Sequence, residues 1–400
     1  MTYDVAAVRG RFPALAEGAA HFDGPGGSQV PVDVAEAVAA AMVAATSNRG
    51  RVTAAERRAD AVVAEARLAL GDLLGADPGG IVLGRSMTQL TYDFARTLAG
   101  DWGPGDEVVV TRLDHDGNVR PWVQAAEAAG ATVRWAEFDR ETAVLPVSAV
   151  TDVLSPRTRL VAVTGASNLL GTKPDIAAIT AAAHEVGALA YVDGVHLTPH
   201  AVVNVRALGA DFFVCSQYKF LGPHLGALAA DPALLETLRP TKLEPSMNAV
   251  PERFEFGTLP YEVLAGSTAA VGFLAGLVPG EGTRRERLVR SITALHEHET
   301  VLRDRLDTGL RALPRVHVYG DPARDRTPTA LFTVDGIPPG VVYERLALAG
   351  VNASAGSFYA IEAARSLGIQ DTGAVRAGIA PYTDESDVDR LLTGMAEITA

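Results

Sequence analysis

Four hundred residues, 48% of them hydrophobic, suffice for two domains with a sizeable core. A net charge of −13 argues against nonspecific binding to nucleic acid or to an anionic membrane surface. The single cysteine, Cys215, excludes an intrachain disulfide; no apolar run reaches the ~20 residues of a membrane span and no signal peptide opens the chain, so a cytoplasmic location is expected.

Val5–Arg11 predicts a short helix. His21-Phe22-Asp23-Gly24-Pro25-Gly26-Gly27-Ser28-Gln29 is a glycine-rich turn after a brief extended entry. Pro31–Ala45 predicts a helix, broken at Ser47-Asn48-Arg49-Gly50-Arg51. Thr53–Leu74 predicts a long helix with one apolar face. Ile81–Leu83 predicts a strand ending at Gly84, and Arg85-Ser86-Met87-Thr88 opens a helix over Gln89–Leu98. A strand, a glycine and a hydroxyl-bearing helix start can form an anion site from free backbone N–H groups; Ser86 would serve equally well as a plain N-cap.

Glu107–Thr111 predicts a strand leading into Asp114-His115-Asp116-Gly117-Asn118-Val119-Arg120-Pro121-Trp122. Strands follow at Ala131–Trp135 and Thr158–Thr164, with a short helix between them at Ser148–Leu154, N-capped by Ser148. Gly165–Gly171 is a loop carrying Asn168, and Asp175–Val186 is a helix. This alternation predicts an α/β protein with a mostly parallel sheet and right-handed crossovers.

Ala188–Val192 and Phe212–Cys215 are apolar runs that predict buried strands. The first ends in Asp193. The second runs into Ser216-Gln217-Tyr218-Lys219 and then Gly222-Pro223. An acid closing one strand and a lysine just beyond the next point to the carboxyl edge of a parallel sheet, where open α/β folds bind ligands. Pyridoxal phosphate needs this pair: a lysine amine holds it as a Schiff base, and a carboxylate pairs with its ring nitrogen. Lys219 fits the first role and Asp193 the second.

Further on, Leu264–Leu277 predicts a helix at a domain hinge and Arg285–Leu313 a long amphipathic helix. Val316–Tyr319, Thr329–Val334, Val351–Ala353 and Val375–Ala380 predict strands of a smaller α/β domain. Val341–Ala349 and Glu385–Ile398 predict its helices.

The spelling D-G-x-H, G-A-D-F and C-S-x-Y-K-F-x-G-P-H-x-G across Ala188–Gly226 resembles the class V branch of fold-type I pyridoxal-phosphate enzymes, which holds cysteine desulfurases, selenocysteine lyases and isopenicillin-N-epimerase-like proteins. The resemblance implies a large domain with a mostly parallel seven-stranded sheet over 21–268, a small C-terminal domain over 269–400, and an N-terminal segment, 1–20, packed on the small domain. It implies cofactor contacts from Ser86, Met87, His115, Asn168, Asp193, His196, Ser216, Tyr218 and Lys219. It also implies a homodimer, in which Thr258 of Glu255-Phe256-Gly257-Thr258 reaches the partner's cofactor phosphate. His115 would stack on the cofactor ring, with a pKa near neutrality for proton transfer. Arg376 would grip a substrate carboxylate, with Gly26, Arg49 and Tyr359 on the substrate side. No metal is expected.

The chain departs from desulfurases in one respect. Their mobile cysteine follows Arg-Thr-Gly-x-x; here the segment is Ser354-Ala355-Gly356-Ser357-Phe358-Tyr359. Tyr359 stands at the cysteine and Ser354 at a carboxylate-binding arginine. Cys215, closing a buried strand, reads as a core thiol. Persulfide-forming desulfuration is therefore not expected. A lyase acting on an amino acid is expected, with Lys219 as general base; transamination, epimerisation, or cofactor binding without turnover are the alternatives.

Overall fold

The computed structural model describes residues 3–400. Strands β2 (Ile81–Gly84), β3 (Glu107–Thr111), β4 (Thr132–Ala136), β5 (Thr158–Thr164), β6 (Leu189–Asp193), β7 (Phe212–Ser216) and β8 (Gly226–Ala230) form one sheet in the order β2-β8-β7-β6-β5-β3-β4. The central strands are unbroken apolar runs because helices cover both faces. Only β4, at the edge, alternates between exposed and half-buried positions. The expectation of a mostly parallel seven-stranded sheet is met, and β8 alone runs against its neighbours. That reversal matters for the site. It pairs Gly226 with both Gly84 and Ser216, so the loop that carries Lys219 returns beside the start of the helix Met87–Leu98.

A second, antiparallel sheet has the order β12 (Ala355–Gly356), β13 (Ala374–Gly378), β10 (Thr329–Val334), β9 (Val316–Val318). Its apolar side chains, Phe332 and Val375 among them, pack with Leu302 and Leu306 of the helix Arg284–Ala312, Leu346 of Pro339–Leu348 and Leu391 of Glu385–Thr399. No helix among the described residues is long and apolar enough to cross a membrane.

Two local expectations need correction. The predicted strand at Val351–Ala353 does not join the small sheet. It forms β11 (Val351–Asn352), which pairs in parallel with β1 (Ala20–His21); the Ala20 and Phe22 N–H groups donate to Gly350 and Asn352 carbonyls at 2.8 and 2.9 Å. The small sheet takes Ala355–Gly356 as its edge instead, two residues with no β-forming side chain and hence no pattern to read. Ser148 does not cap a helix; it lies inside Val147–Thr151, whose N-cap position is Pro146, already in the extended conformation that a helix entry requires. The N-terminal segment is tied to the other end of the chain: the Tyr3 hydroxyl donates to the Pro381 carbonyl at 2.5 Å, and Arg9 pairs with Asp387 at 2.6 Å.

Candidate active site

At the carboxyl edge of the large sheet lies a cavity of about 540 Å³, within the range of ordinary small-molecule sites. Lys219, Asp193, His115, Ser86, Met87, Asn168, His196, Ser216, Tyr218, Gly26, Tyr359 and Arg376 all line it. Thr258 and Arg49 do not. Thr258 is exposed on another part of the surface. The Arg49 guanidinium is claimed by Asp60 at 2.8 Å and Glu252 at 3.0 Å, so within one chain it is not a substrate-side residue.

Lys219 Nζ rests on the carbonyls of Pro25 and of Gly26 (2.9 Å) and 4.9 Å from the centre of the Tyr218 ring. Burial, reinforced by the Arg376 guanidinium, pushes its amine down to about 7. Asp193 closes β6 with its carboxylate buried; Oδ1 accepts the Val195 N–H at 2.9 Å, and burial pushes the carboxyl up to about 6. Such a group favours a positive partner, since a cation beside it restores the charged form.

His115 is held by a buried chain. Asp114 accepts from Thr111 and from Asn118 Nδ2 (2.7 Å), and Asn118 Oδ1 accepts from Trp122 Nε1 (3.1 Å). Asp114, Asn118 and Trp122 thus brace the loop that presents the imidazole. The near-neutral pKa expected for His115 is not found: burial, with Lys219 nearby, pushes it down to about 4. The ring is neutral, and because Nδ1 accepts the Gly117 N–H at 2.9 Å, the proton resides on Nε2.

The helix Met87–Leu98 turns its N-terminus to the cavity. Ser86 is its N-cap, accepting the Gln89 N–H at 3.2 Å, and it also lines the cavity, so capping does not remove it from the site. Met87 N–H donates to Ser216 Oγ at 3.1 Å, whereas the Thr88 N–H has no acceptor among the described residues. Gly226 is essential here, because a Cβ on it would come within 2.4 Å of the Ser86 carbonyl carbon. Gly226→Ala is accordingly expected to displace the helix start and weaken phosphate-dependent cofactor binding, measured as a raised dissociation constant, while β8 itself persists.

On the opposite wall, Arg376 NH1 donates to the Asn168 carbonyl at 2.8 Å, and burial pushes the guanidinium down to about 9. It remains charged at neutral pH and available to a carboxylate. Asn168 Nδ2 donates to the Phe358 carbonyl at 2.9 Å. His196 Nε2 sits between the hydroxyls of Thr327 (2.9 Å) and Thr329 (3.0 Å), and burial keeps its ring neutral. The lone cysteine is fully buried in β7 with its thiol pushed up to about 12, and it does not line the cavity.

Sequence reasoning assigns no role to several residues that line the cavity: Thr88, Tyr92, Asp116, Arg120 and Phe358. Helical spacing was the available signal for some. Tyr92 lies one turn beyond Thr88, and Arg120 pairs with Asp116 four residues earlier at 2.8 Å.

The fit to pyridoxal phosphate follows from these observations. A buried amine, a buried acid, a helix start with a spare N–H behind a glycine that admits no Cβ, and a carboxylate-seeking guanidinium surround one space. Comparison with known proteins agrees. The model of the family described as aminotransferase class-V matches residues 20–391. A protein of Mycobacterium tuberculosis named uncharacterized protein MT3887 is 37% identical, with 100% of each chain covered. The cysteine desulfurase CsdA from Escherichia coli superposes with a TM-score of 0.89 at 26% identity, covering 100% of both chains. A C-DES variant with glycine covalently linked to its pyridoxal phosphate shares the fold, with a TM-score of 0.80 at 24% identity over 97% of this chain and 99% of that one. With its lone cysteine buried away from the cavity, the chain belongs to the aminotransferase class-V family, on its cysteine desulfurase-like side.

Proposed function

We propose that the protein is a pyridoxal-phosphate enzyme that cleaves a bond at the β-carbon of an amino acid, without forming a persulfide on a cysteine. The observation that carries this reading is Lys219: a buried amine held near pKa 7 across a cavity from a buried carboxylate, with one free guanidinium on a third wall. Pyridoxal phosphate, when bound, supplies an electron sink for the pair released at the substrate's α-carbon.

The chain's own residues do the rest. Lys219 would hold the cofactor, and its amine is placed to accept a proton from the substrate's α-carbon, with the Pro25 and Gly26 carbonyls and the Tyr218 ring receiving the ammonium. Asp193 keeps the far end of the ring positive. His115 would cover a ring face as a neutral imidazole that carries its proton on Nε2. Arg376 orients the substrate carboxylate. Ser86, Ser216 and the spare Thr88 N–H would hold the phosphate, and Met87, Asn168 and His196 would contact the rest of the cofactor.

The reading extends to a large cofactor-binding domain over 21–268, a small domain over 269–400 with 1–20 packed on it, and a homodimer. Exposed Met42, Val43, Val52, Leu243, Met247 and Phe256 support the dimer, because they cluster in the chain segments around Arg49 and Thr258. Thr258, idle in one chain, would complete the partner's phosphate site.

Cleavage at Cβ is favoured over desulfuration because no thiol lines the cavity. The likeness to a cysteine desulfurase supports chemistry at a carbon–sulfur bond. The test incubates the cofactor-loaded protein with cysteine S-conjugates and identifies products by mass spectrometry. Pyruvate, ammonia and the free thiol are expected. Pyridoxamine phosphate would indicate transamination instead, and alanine formed from free cysteine, with sulfide released on adding a thiol reductant, would overturn the argument from the missing thiol.

A further inference from the structure

The turn Ser357–Ala360 is built against its own sequence. Phe358 and Tyr359 have φ of 54° and 58°, and the Ala360 N–H closes on the Ser357 carbonyl at 2.9 Å. Positive φ at both central positions is the type I′ pattern, favoured by asparagine and glycine and resisted by bulky side chains. Strain of this kind persists where the surroundings impose it, and it concentrates at functional sites.

The surroundings here are residues of the large sheet's loops. Asp116 N–H donates to the Tyr359 carbonyl at 2.7 Å, and Asn168 Nδ2 donates to the Phe358 carbonyl. Just beyond the turn, Glu362 pairs with Arg112 at 2.6 Å and with Arg120 at 2.8 Å. The two rings are thereby sent to separate places. Phe358 lies against the Arg376 guanidinium, 3.8 Å from Cζ to the ring centre, so a carboxylate must approach in the guanidinium plane. Tyr359 stacks beside His115, with centroids 5.7 Å apart, and stays 78% exposed at the cavity mouth. An aromatic ring held in strain and left uncovered awaits a partner.

Charge narrows the choice of that partner. Arg120, which lines the cavity, is already shared between Asp116 and Glu362. Arg376 is committed to one carboxylate and Lys219 to the cofactor. A second carboxylate would meet no unpaired cation among the described lining residues, and it would meet Asp116.

We propose that the Phe358–Tyr359 turn is the specificity element of this site, selecting amino acids with a single carboxylate and a flat, uncharged side chain and rejecting dicarboxylates. The proposal rests on the cofactor reading given above. Its test titrates the cofactor-loaded protein with L-phenylalanine, L-alanine and L-aspartate and follows the cofactor absorbance, which reports binding without turnover.

Phenylalanine is expected to half-saturate at a concentration roughly threefold to tenfold below alanine, the worth of one aromatic pair, and aspartate to bind more weakly than either. Tyr359→Gly is expected to abolish the phenylalanine advantage while raising the midpoint of thermal unfolding, because glycine relieves the turn. A purely structural tyrosine would not produce that combination. The proposal is overturned if aspartate binds as tightly as phenylalanine, if Tyr359→Gly leaves the phenylalanine-to-alanine ratio unchanged, or if it dissociates a dimer instead. Failure of the underlying cofactor reading has a different signature, the absence of any cofactor band to titrate.

Discussion

Lys219→Ala is expected to abolish covalent retention of pyridoxal phosphate and to lower turnover by roughly 10²–10⁴-fold from loss of the general base alone. Borohydride reduction followed by peptide mapping reads the first effect; a cofactor adduct on any other lysine would refute the assignment. In the wild type, the rate of covalent capture should rise with pH through about 7, where burial places this amine. An ordinary lysine, with a pKa of about 10.4, would present roughly one free amine in 2,500 at pH 7.

The sign for stability follows from the same depression. Below about 7 the folded cofactor-free protein carries the ammonium at a desolvation cost. Between about 7 and the ordinary lysine range the unfolded chain binds the extra proton, so that cost lifts as pH rises. The cofactor-free alanine variant should therefore unfold at a higher temperature than wild type below pH 7, and the gap should close as pH climbs toward the lysine range.

Asp193→Asn preserves shape and hydrogen bonding but removes the negative charge. A buried charge stripped of its partner costs roughly 3–5 kcal/mol. Turnover should fall by roughly a hundredfold to several-thousandfold, with Lys219 still able to capture the cofactor. A variant retaining more than half of wild-type activity would show that the carboxylate is not what holds the ring positive. Because burial pushes Asp193 up to about 6, a rising fraction is protonated as pH falls below that value. Cofactor affinity in the wild type should weaken over that range, and the asparagine variant should lack this dependence.

What the sequence disclosed depended on distance along the chain. Asp193 and Lys219 were legible because each ends a buried apolar run, so one-dimensional pattern and three-dimensional edge coincide. Asp114, Asn118 and Trp122 were legible as the stretch that follows a strand, but not as a brace for His115, because their hydrogen bonds follow side-chain direction rather than spacing. The low pKa of His115 was hidden because it comes from burial beneath residues distant in sequence. Arg49 was misplaced for a related reason: Glu252, one of the two acids that claim it, lies more than half a chain away. Phe358 and Tyr359 could not be read as a turn, since nothing in their side chains favours positive φ; neighbours on the other sheet impose it.

The parallel pairing of Ala20–His21 with Val351–Asn352 has a consequence for biosynthesis. Ala20–His21 leaves the ribosome long before its mate Val351–Asn352, and the contacts of Tyr3 with Pro381 and of Arg9 with Asp387 wait longer still. Closing so large a loop is slow. The nascent segment around Ala20–His21 should therefore stay open to proteases and chaperones until Val351–Asp387 has emerged, becoming protected in a single late step.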